Sequence, residues 1–380
     1  MNNRLHAGIR AALPLLLSLL FCATAQAAGA EQKLSDEFAK TYHAYNAAYA
    51  QGDFVRAAEL AVKAVELARK EIGPTHEKTG VLEINAGHAL LLSGNIKDAE
   101  THLQNAQKIL EAAGGPALEE LTTVHEDMAK VLASRDDLAG ARAEIDRAIA
   151  IVQKHGTPDS PQIANYRVDQ GLLDVAAGNL DKAMQSYTEA LRIVQAKYGK
   201  DDVRSASVIS AIGEIEVAMK KYAPAEQHFL EALHVFQSKL TEDDPSIVNV
   251  HSKLAQLYLA TDNNQFAQHA DRVIALMKDK EGQALPLFVV QPKPPSGKAA
   301  EGWVLLDFTV TEAGRVTDLR VLESLPPNAF DAATLSAARE WRFKPKVENG
   351  KRVKQAHTRA RVVYHAGKIS VHLGEWQQTS

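Results

Sequence analysis

Near its C-terminus the chain reads Ala337-Ala338-Arg339-Glu340-Trp341-Arg342-Phe343-Lys344-Pro345, then Lys346-Val347-Glu348-Asn349-Gly350-Lys351-Arg352-Val353. This spacing predicts a helix ending at about Trp341, an alternating apolar pair at Trp341 and Phe343, a stop at Pro345 and a turn at Asn349-Gly350. Upstream, Val304, Leu306, Phe308 and Val310 recur at period two, as in a strand with one buried face. Thr311-Glu312-Ala313-Gly314 reads as the turn that follows, with Gly314 supplying a left-handed backbone. A second strand is expected over 316–324, with Leu319 and Val321 on one face. Pro326-Pro327-Asn328 stops it, and Asn328 or Asp331 is placed to cap the helix. After the Asn349-Gly350 turn, 356–365 alternates again. Ala356, Thr358, Ala360, Val362 and Tyr364 share one face, and His357, Arg359, Arg361 and His365 dominate the other. The order is β-β-α-β, a small α+β domain.

Four separated motifs carry a family resemblance. Gly302-x-Val304, the Val310-x3-Gly314-x-Val316 turn, Phe330-Asp331-x-Ala333 and Ala338-x2-Trp341-x-Phe343-x-Pro345 together resemble the C-terminal domain of the TonB family, over roughly 286–365. The fold signature on this chain is Gly302, Gly314, Phe330, Trp341, Phe343 and Pro345, with the aromatic residues expected in the core. The resemblance implies binding of a TonB-box-like extended segment of an outer-membrane transporter by β-augmentation, in which backbone hydrogen bonds supply much of the affinity. Carried over, the partner-binding edge strand is Thr358, Arg359, Ala360, Arg361, Val362, Val363 and Tyr364. Arg359 and Arg361 would orient a partner and guard the edge against aggregation. Beyond it, Ile369, Val371 and Leu373 alternate within the 366–380 tail, so a further strand is expected to fold back onto that edge.

The charge is divided along the chain. Residues 281–380 carry 14 Lys+Arg and 10 Asp+Glu, whereas the other 280 carry 29 and 37. An acidic body with a modestly basic tail, lacking basic residues interleaved with stacking aromatics, excludes a nucleic-acid partner. Residues 1–27 read as a Sec-type signal peptide: Arg4 and Arg10 supply the positive region, 11–21 is apolar and Ala25-Gln26-Ala27 fits the cleavage site. The apolar run falls short of the roughly 20 residues needed to span a bilayer. The single cysteine, Cys22, lies inside this segment, so cleavage would leave no thiol chemistry.

The middle of the chain repeats every 42 residues. Ala57, Ala99, Ala141, Ala183, Ala225 and Ala267 share one phase, and Ala64, Ala106, Ala148, Ala190 and Ala232 follow seven residues later, with Ile274 ending the series. Gly52, Gly94, Asp136, Gly178, Lys220 and Asp262 mark a tight turn five residues before each first alanine. A fixed period of this size is the mark of a helical solenoid, in which alanines sit where paired helices cross and bulky residues fill the groove between units. The Gly-Asp/Asn-x3-Ala-x6-Ala pattern resembles tetratricopeptide repeats of the long-helix, kinesin-light-chain kind. About six repeats are expected over 33–278, the last degenerate.

That resemblance implies a concave face formed by the first helix of each pair, holding an unknown peptide or protein. In register it includes Asn85, His88, Lys130, Asn165 and Asn249. His125-Glu126-Asp127 reads as a solvated polar cluster. A Pro-containing linker is expected over 279–301, the small domain over 302–365 and the tail over 366–380.

No catalytic motif, metal-ligand spacing or cofactor loop is present in the sequence. The reading is multidomain: an all-α tetratricopeptide solenoid followed by a small α+β (β-β-α-β) TonB-like domain, not an enzyme. It implies a periplasmic adaptor of a Gram-negative bacterium, linked to TonB-dependent transport. The alternative is an inner-membrane-anchored energy transducer with an uncleaved N-terminal helix. Exposed sheet edges leave homodimerisation through the small domain open.

Overall fold

The structure, a computed structural model, describes residues 34–155, 159–293, 301–365 and 368–374. The expected leader at 1–27, with Cys22, lies outside the described residues, as do 294–300, part of the expected tail turn and 375–380. Two compact units divide at Lys197/Tyr198.

The first unit is built from α1 (Asp36–Ala50), α2 (Phe54–Glu71), α3 (Glu77–Ser93), α4 (Ile96–Ala113), α5 (Ala117–Ser134), α6 (Leu138–His155), α7 (Pro161–Ala176) and α8 (Leu180–Tyr198). The second opens with α9 (Val203–Ala218), α10 (Tyr222–Lys239), α11 (Pro245–Ala260) and α12 (Phe266–Leu276). The 42-residue period appears directly in the backbone. Gly52, Gly94, Asp136, Gly178, Lys220 and Asp262 all take positive φ. After each of them the next N–H turns back onto the helix it leaves: Asp53 N to Ala48 O, Asn95 N to Leu90 O and Asp137 N to Leu132 O, and likewise at Asn179, Lys221 and Asn263. These bonds satisfy carbonyls that a helix end would otherwise orphan.

Ala57, Ala99, Ala141, Ala183 and Ala225 are fully buried, as are Ala106, Ala148, Ala190 and Ala232. Facing them is a second row of small residues at the same period: Gly87, Ala129, Gly171, Gly213 and Ala255. A Cβ at Gly87 would lie 2.7 Å from Leu103 Cγ, and one at Gly213 2.8 Å from Phe229 Cε1. Gly87, Gly171 and Gly213 thus each receive a bulky side chain from the paired helix: Leu103, Tyr187 and Phe229. The sixth repeat departs from the pattern. Its second helix starts late, Ala267 is only half-buried, and Phe266, Ala270 and Ile274 fill the core instead.

The sheet domain adds β1 (Leu285–Phe288), β2 (Gly302–Val310), β3 (Val316–Leu325), α13 (Asp331–Arg339), β4 (Arg342–Lys344), β5 (Lys346–Glu348), β6 (Lys351–Val353), β7 (Gln355–His365) and β8 (Lys368–Leu373). A four-stranded antiparallel sheet runs β3-β2-β7-β8, beside two small pairs, β1-β4 and β5-β6. The period-two residues Val304, Leu306, Phe308 and Val310 meet Ala360, Val362, Tyr364, Phe330, Trp341 and Phe343 in one core. Phe330 stacks on Tyr364 at 4.1 Å, and Phe308 meets Trp341 edge-on at 5.9 Å. Phe330 occupies the N-cap position of α13 with no side-chain capping bond, so neither Asn328 nor Asp331 plays the expected part.

The stretch expected as a spacer is part of this fold. Leu285 and Pro286 pair with Lys344 and Phe343, Gly282 bridges Val347, and Trp341 Nε1 donates to Val290 O at 2.8 Å. The last helix of the repeats is joined to it as well. Asp271 on α12 accepts from Arg315 Nη2 (2.6 Å) and Arg342 Nε (2.7 Å). Arg352 Nη2 donates to the carbonyls of Ile274 and Met277, each at 3.0 Å, completing the C-terminal end of α12. Phe266 meets Phe288 edge-on at 5.7 Å.

Candidate partner-binding surfaces

Two surfaces follow from this architecture: the edges of the four-stranded sheet, and the polar row on the first helices of the repeats. The expected edge strand, Thr358, Arg359, Ala360, Arg361, Val362, Val363 and Tyr364, is not at the edge. β7 lies between β2 and β8, with Ala360 opposite Leu373, Val362 opposite Val371 and Tyr364 opposite Ile369. Gly374 N also donates to Arg359 O at 3.3 Å. The tail thus forms the further strand, because its alternation at Ile369, Val371 and Leu373 matches the half-buried side of the sheet. The free edges are β8 and β3.

Alternation on β7 places Arg359 and Arg361 on the face opposite the core. Arg361 lies over the Trp303 ring at 4.3 Å, a cation–π contact. Arg359 Nε stands 3.9 Å from the buried Asp307, which also accepts from Arg320 at 2.9 and 3.1 Å. Both arginines are held by their own sheet. The other signature residues are structural: a Cβ at Gly302 would lie 2.6 Å from Phe330 Cε2, Gly314 takes φ +72° beside Phe343 O, and Pro345 is buried.

On the repeats, three of the five anticipated residues come together in the first unit. His88 on α3 joins Tyr49 Oη of α1 (3.1 Å) to Asp127 Oδ2 of α5 (2.7 Å). Lys130 Nζ donates to Asp127 Oδ1 at 2.9 Å and Glu126 Oε1 at 2.8 Å. Asn85 faces the Tyr42 hydroxyl of α1, which burial pushes above its ordinary pKa. Burial alone would raise the Asp127 pKa, but Lys130 and His88 outweigh it and hold the carboxyl below its ordinary value. Burial likewise opposes charge on Lys130, and Asp127 and Glu126 overcome it. Asn165 and Asn249 are exposed on α7 and α11.

His125 and Asp127, expected on a solvated face, are buried, His125 bonding Glu144 at 2.7 Å. Sequence reasoning also missed the aromatic row Phe38, Tyr42, Tyr45 and Tyr49, consecutive neighbours at 5.7–6.0 Å between ring centres. Its signal was present as spacings of four, three and four, one face of a helix. Asp169 on α7 was missed as well; burial and the nearby Glu126 push it up to about 7.

Comparison with known proteins agrees with both halves of this architecture. Residues 38–112 and 120–196 match the tetratricopeptide repeat family model, and residues 296–365 match that of the Gram-negative bacterial TonB protein C-terminal. The Protein TonB of Pseudomonas aeruginosa is 40% identical over 70 residues, 18% of this chain and 20% of the relative. That of Yersinia enterocolitica is 42% identical over 43 residues, 11% of this chain and 17% of the relative. The chain thus spans about a fifth of the length of the curated relatives it matches. Among solved structures, the apo form of the quorum sensor NprR from B. thuringiensis aligns at TM-score 0.50 and 17% identity, over 65% of this chain and 67% of that one, a likeness of fold alone. A kinesin-light-chain-type protein of Podosopora anserina with TPR-like repeats aligns at TM-score 0.46 and 16% identity, over 53% of this chain and 96% of that one. Among the described residues no helix is long and apolar enough to cross a membrane. The chain is a tetratricopeptide-type helical-repeat solenoid followed by a small antiparallel sheet domain that matches the TonB C-terminal family model.

Proposed function

We propose that this protein is a binding adaptor of the Gram-negative periplasm. Its sheet domain takes an extended, TonB-box-like segment of an outer-membrane transporter, and its repeats hold a second protein partner. The match of residues 296–365 to the TonB C-terminal family supports the first half, and the tetratricopeptide match supports the second. Both are protein-recognition folds, and the proposed activity is binding rather than catalysis. Pairing with a sheet edge needs little sequence identity in the partner, because backbone N–H and C=O groups carry the contact.

The observation that carries the mode of binding is β8. All six of its residues are half-buried or exposed, whereas β7 beneath it buries Ala360, Val362 and Tyr364. β8 is a weakly held occupant of the position a partner strand would take. In this proposal the incoming segment replaces β8 on β7, between Ala360 and His365. Isothermal titration of a peptide from a transporter plug segment, against the full chain and a chain ending at His365, tests it. The shortened chain should bind at least tenfold more tightly, since no strand has to leave first. Equal or weaker binding would remove β8 from the mechanism.

A further inference from the structure

A polar side chain buried where the two helices of a repeat cross needs a partner, and in the second and third repeats that partner makes an acid–histidine pair. In the second repeat Glu83 on α3, fully buried, accepts from His102 Nδ1 on α4 at 2.6 Å and from Arg69. The residue 42 positions on is His125 on α5, and it bonds Glu144 on α6, again 42 positions beyond His102. The polarity is reversed, but the pair is still one acid and one base. In both pairs a carboxylate faces the imidazole.

In the sixth repeat the first position is again a histidine, but its partner lies one residue before the matching position of α12, which is Ala270. His251 on α11, a further 126 residues along, meets His269 on α12, Nδ1 to Nδ1, at 2.9 Å. Both rings are buried, and His251 Nε2 has no hydrogen-bond partner. Such a contact holds only while one Nδ1 donates and the other keeps its lone pair. A first added proton is a buried charge with no carboxylate against it. A second leaves two N–H groups pointed at each other.

The surroundings offer little relief. Tyr258 on α11 packs its ring 5.4 Å from His269 and donates its hydroxyl to Glu226 on α10 at 2.7 Å. Glu226 favours a proton on His269, but less than burial and His251 oppose one. Lys253 on α11 is engaged by Glu214 and Ser210 of α9. On α12, Asp271 is taken by Arg315 and Arg342 of the sheet domain, and Arg272 by Glu242. Helix α12 is thus held on one side by the histidine pair and on the other by the sheet domain.

We propose that the His251–His269 contact is an acid-released latch, closed at neutral pH, which loosens α12 together with the sheet domain from α11 as the medium acidifies. Burial lowers His251, and burial and His251 together bring His269 down to about 4 from its ordinary 6.5. A depressed base is neutral in the closed form while the opened form is already protonated. Opening therefore becomes easier as pH falls from about 6.5 and gains nothing more once the closed form titrates. Over that window the opening equilibrium shifts by about two orders of magnitude.

Amide hydrogen exchange on the full chain at pH 7.5 and pH 5.0, corrected for the intrinsic pH dependence of exchange, reads this directly. Protection in α11 and α12 should drop at pH 5.0 by between tenfold and a hundredfold, while α3 and α4 keep theirs. His269→Gln, which leaves only the burial-lowered His251 to titrate, should lose most of the pH response. His251→Glu, which sets a carboxylate against His269 as Glu83 is set against His102, should remove or invert it. If α11 and α12 keep their protection in the wild type at pH 5.0, or lose it equally in His269→Gln, the latch does not exist. The wild-type measurement decides the matter even if a variant fails to fold.

Discussion

At Gly87 a side chain has no room. The added methyl would sit 2.7 and 2.9 Å from Leu103 Cγ and Cδ2, with the Ala99 carbonyl 3.2 Å behind them. Gly87→Ala gains helix propensity, about 1 kcal/mol, yet overpacking a tight core costs about 1–3 kcal/mol, so the variant should be less stable in urea denaturation. In a Leu103→Ala background the same change should become neutral or favourable, and independent additive effects would refute a direct clash. Asp169 supports a second prediction. Its native pKa of about 7 lies above the ordinary 3.8 because burial and Glu126 disfavour the charge. Between those values the native state holds a proton that the unfolded chain releases, so stability falls as pH rises through the window. Asp169→Asn should stabilise the first unit by about 1 kcal/mol at pH 8, the full shift being discounted for partial solvent access, and by nothing at pH 4. Equal melting shifts at both pH values would show that the carboxyl is not strained.

Legibility differs sharply between elements. The six repeat turns could be read from sequence because a helix reversal needs a left-handed residue at one position, and Gly, Asp and Lys at 42-residue spacing mark it. The aromatic and alternating pattern of β2, α13 and β7 was legible for the same reason: periodicity declares which side is buried. What periodicity does not declare is which strand lies next to which. β1 is four residues, contains Pro286 and has no alternation, so only its pairing with β4 reveals it. The order β3-β2-β7-β8 likewise turned the expected edge strand into an interior one. In the repeats, register places Asn85, His88 and Lys130 on first helices, whereas the environments of Asp127 and Asp169 depend in part on His88 and Glu126 of neighbouring helices. The position of β8 has its own consequence. A chain ending at His365 bares the N–H and C=O groups of β7, the template on which a second copy pairs. Sedimentation of that chain between roughly 1 and 100 µM should show concentration-dependent association well beyond that of the full chain. Identical profiles would mean β8 protects nothing.

At the scale of the whole chain, the sheet domain is tied to the last repeat helix within the second unit. Asp271 is a single carboxylate receiving two arginines from the sheet domain, and Arg342 is itself buried. Arg352 closes the end of the same helix. A flexible tether would leave α12 and the sheet free to turn independently, whereas these contacts join them as one folding entity. Removing the carboxylate leaves the Arg342 charge in a poorly hydrated place, where its bonds to Glu340 O and Trp341 O give only partial compensation. Breaking a buried pair in this way typically costs about 3–5 kcal/mol. Asp271 retains partial solvent access, so about 2–3 kcal/mol is the better expectation here. Asp271→Ala should therefore lower the melting temperature of the sheet domain and separate its transition from that of α9–α12 in calorimetry. The first unit, α1–α8, should melt unchanged and serves as the internal reference. Reversal of the pair with Asp271→Arg and Arg342→Asp would restore much of the loss if attraction is the cause. A single, unshifted transition in Asp271→Ala would show that apolar packing at Phe266 and Phe288 holds the joint alone.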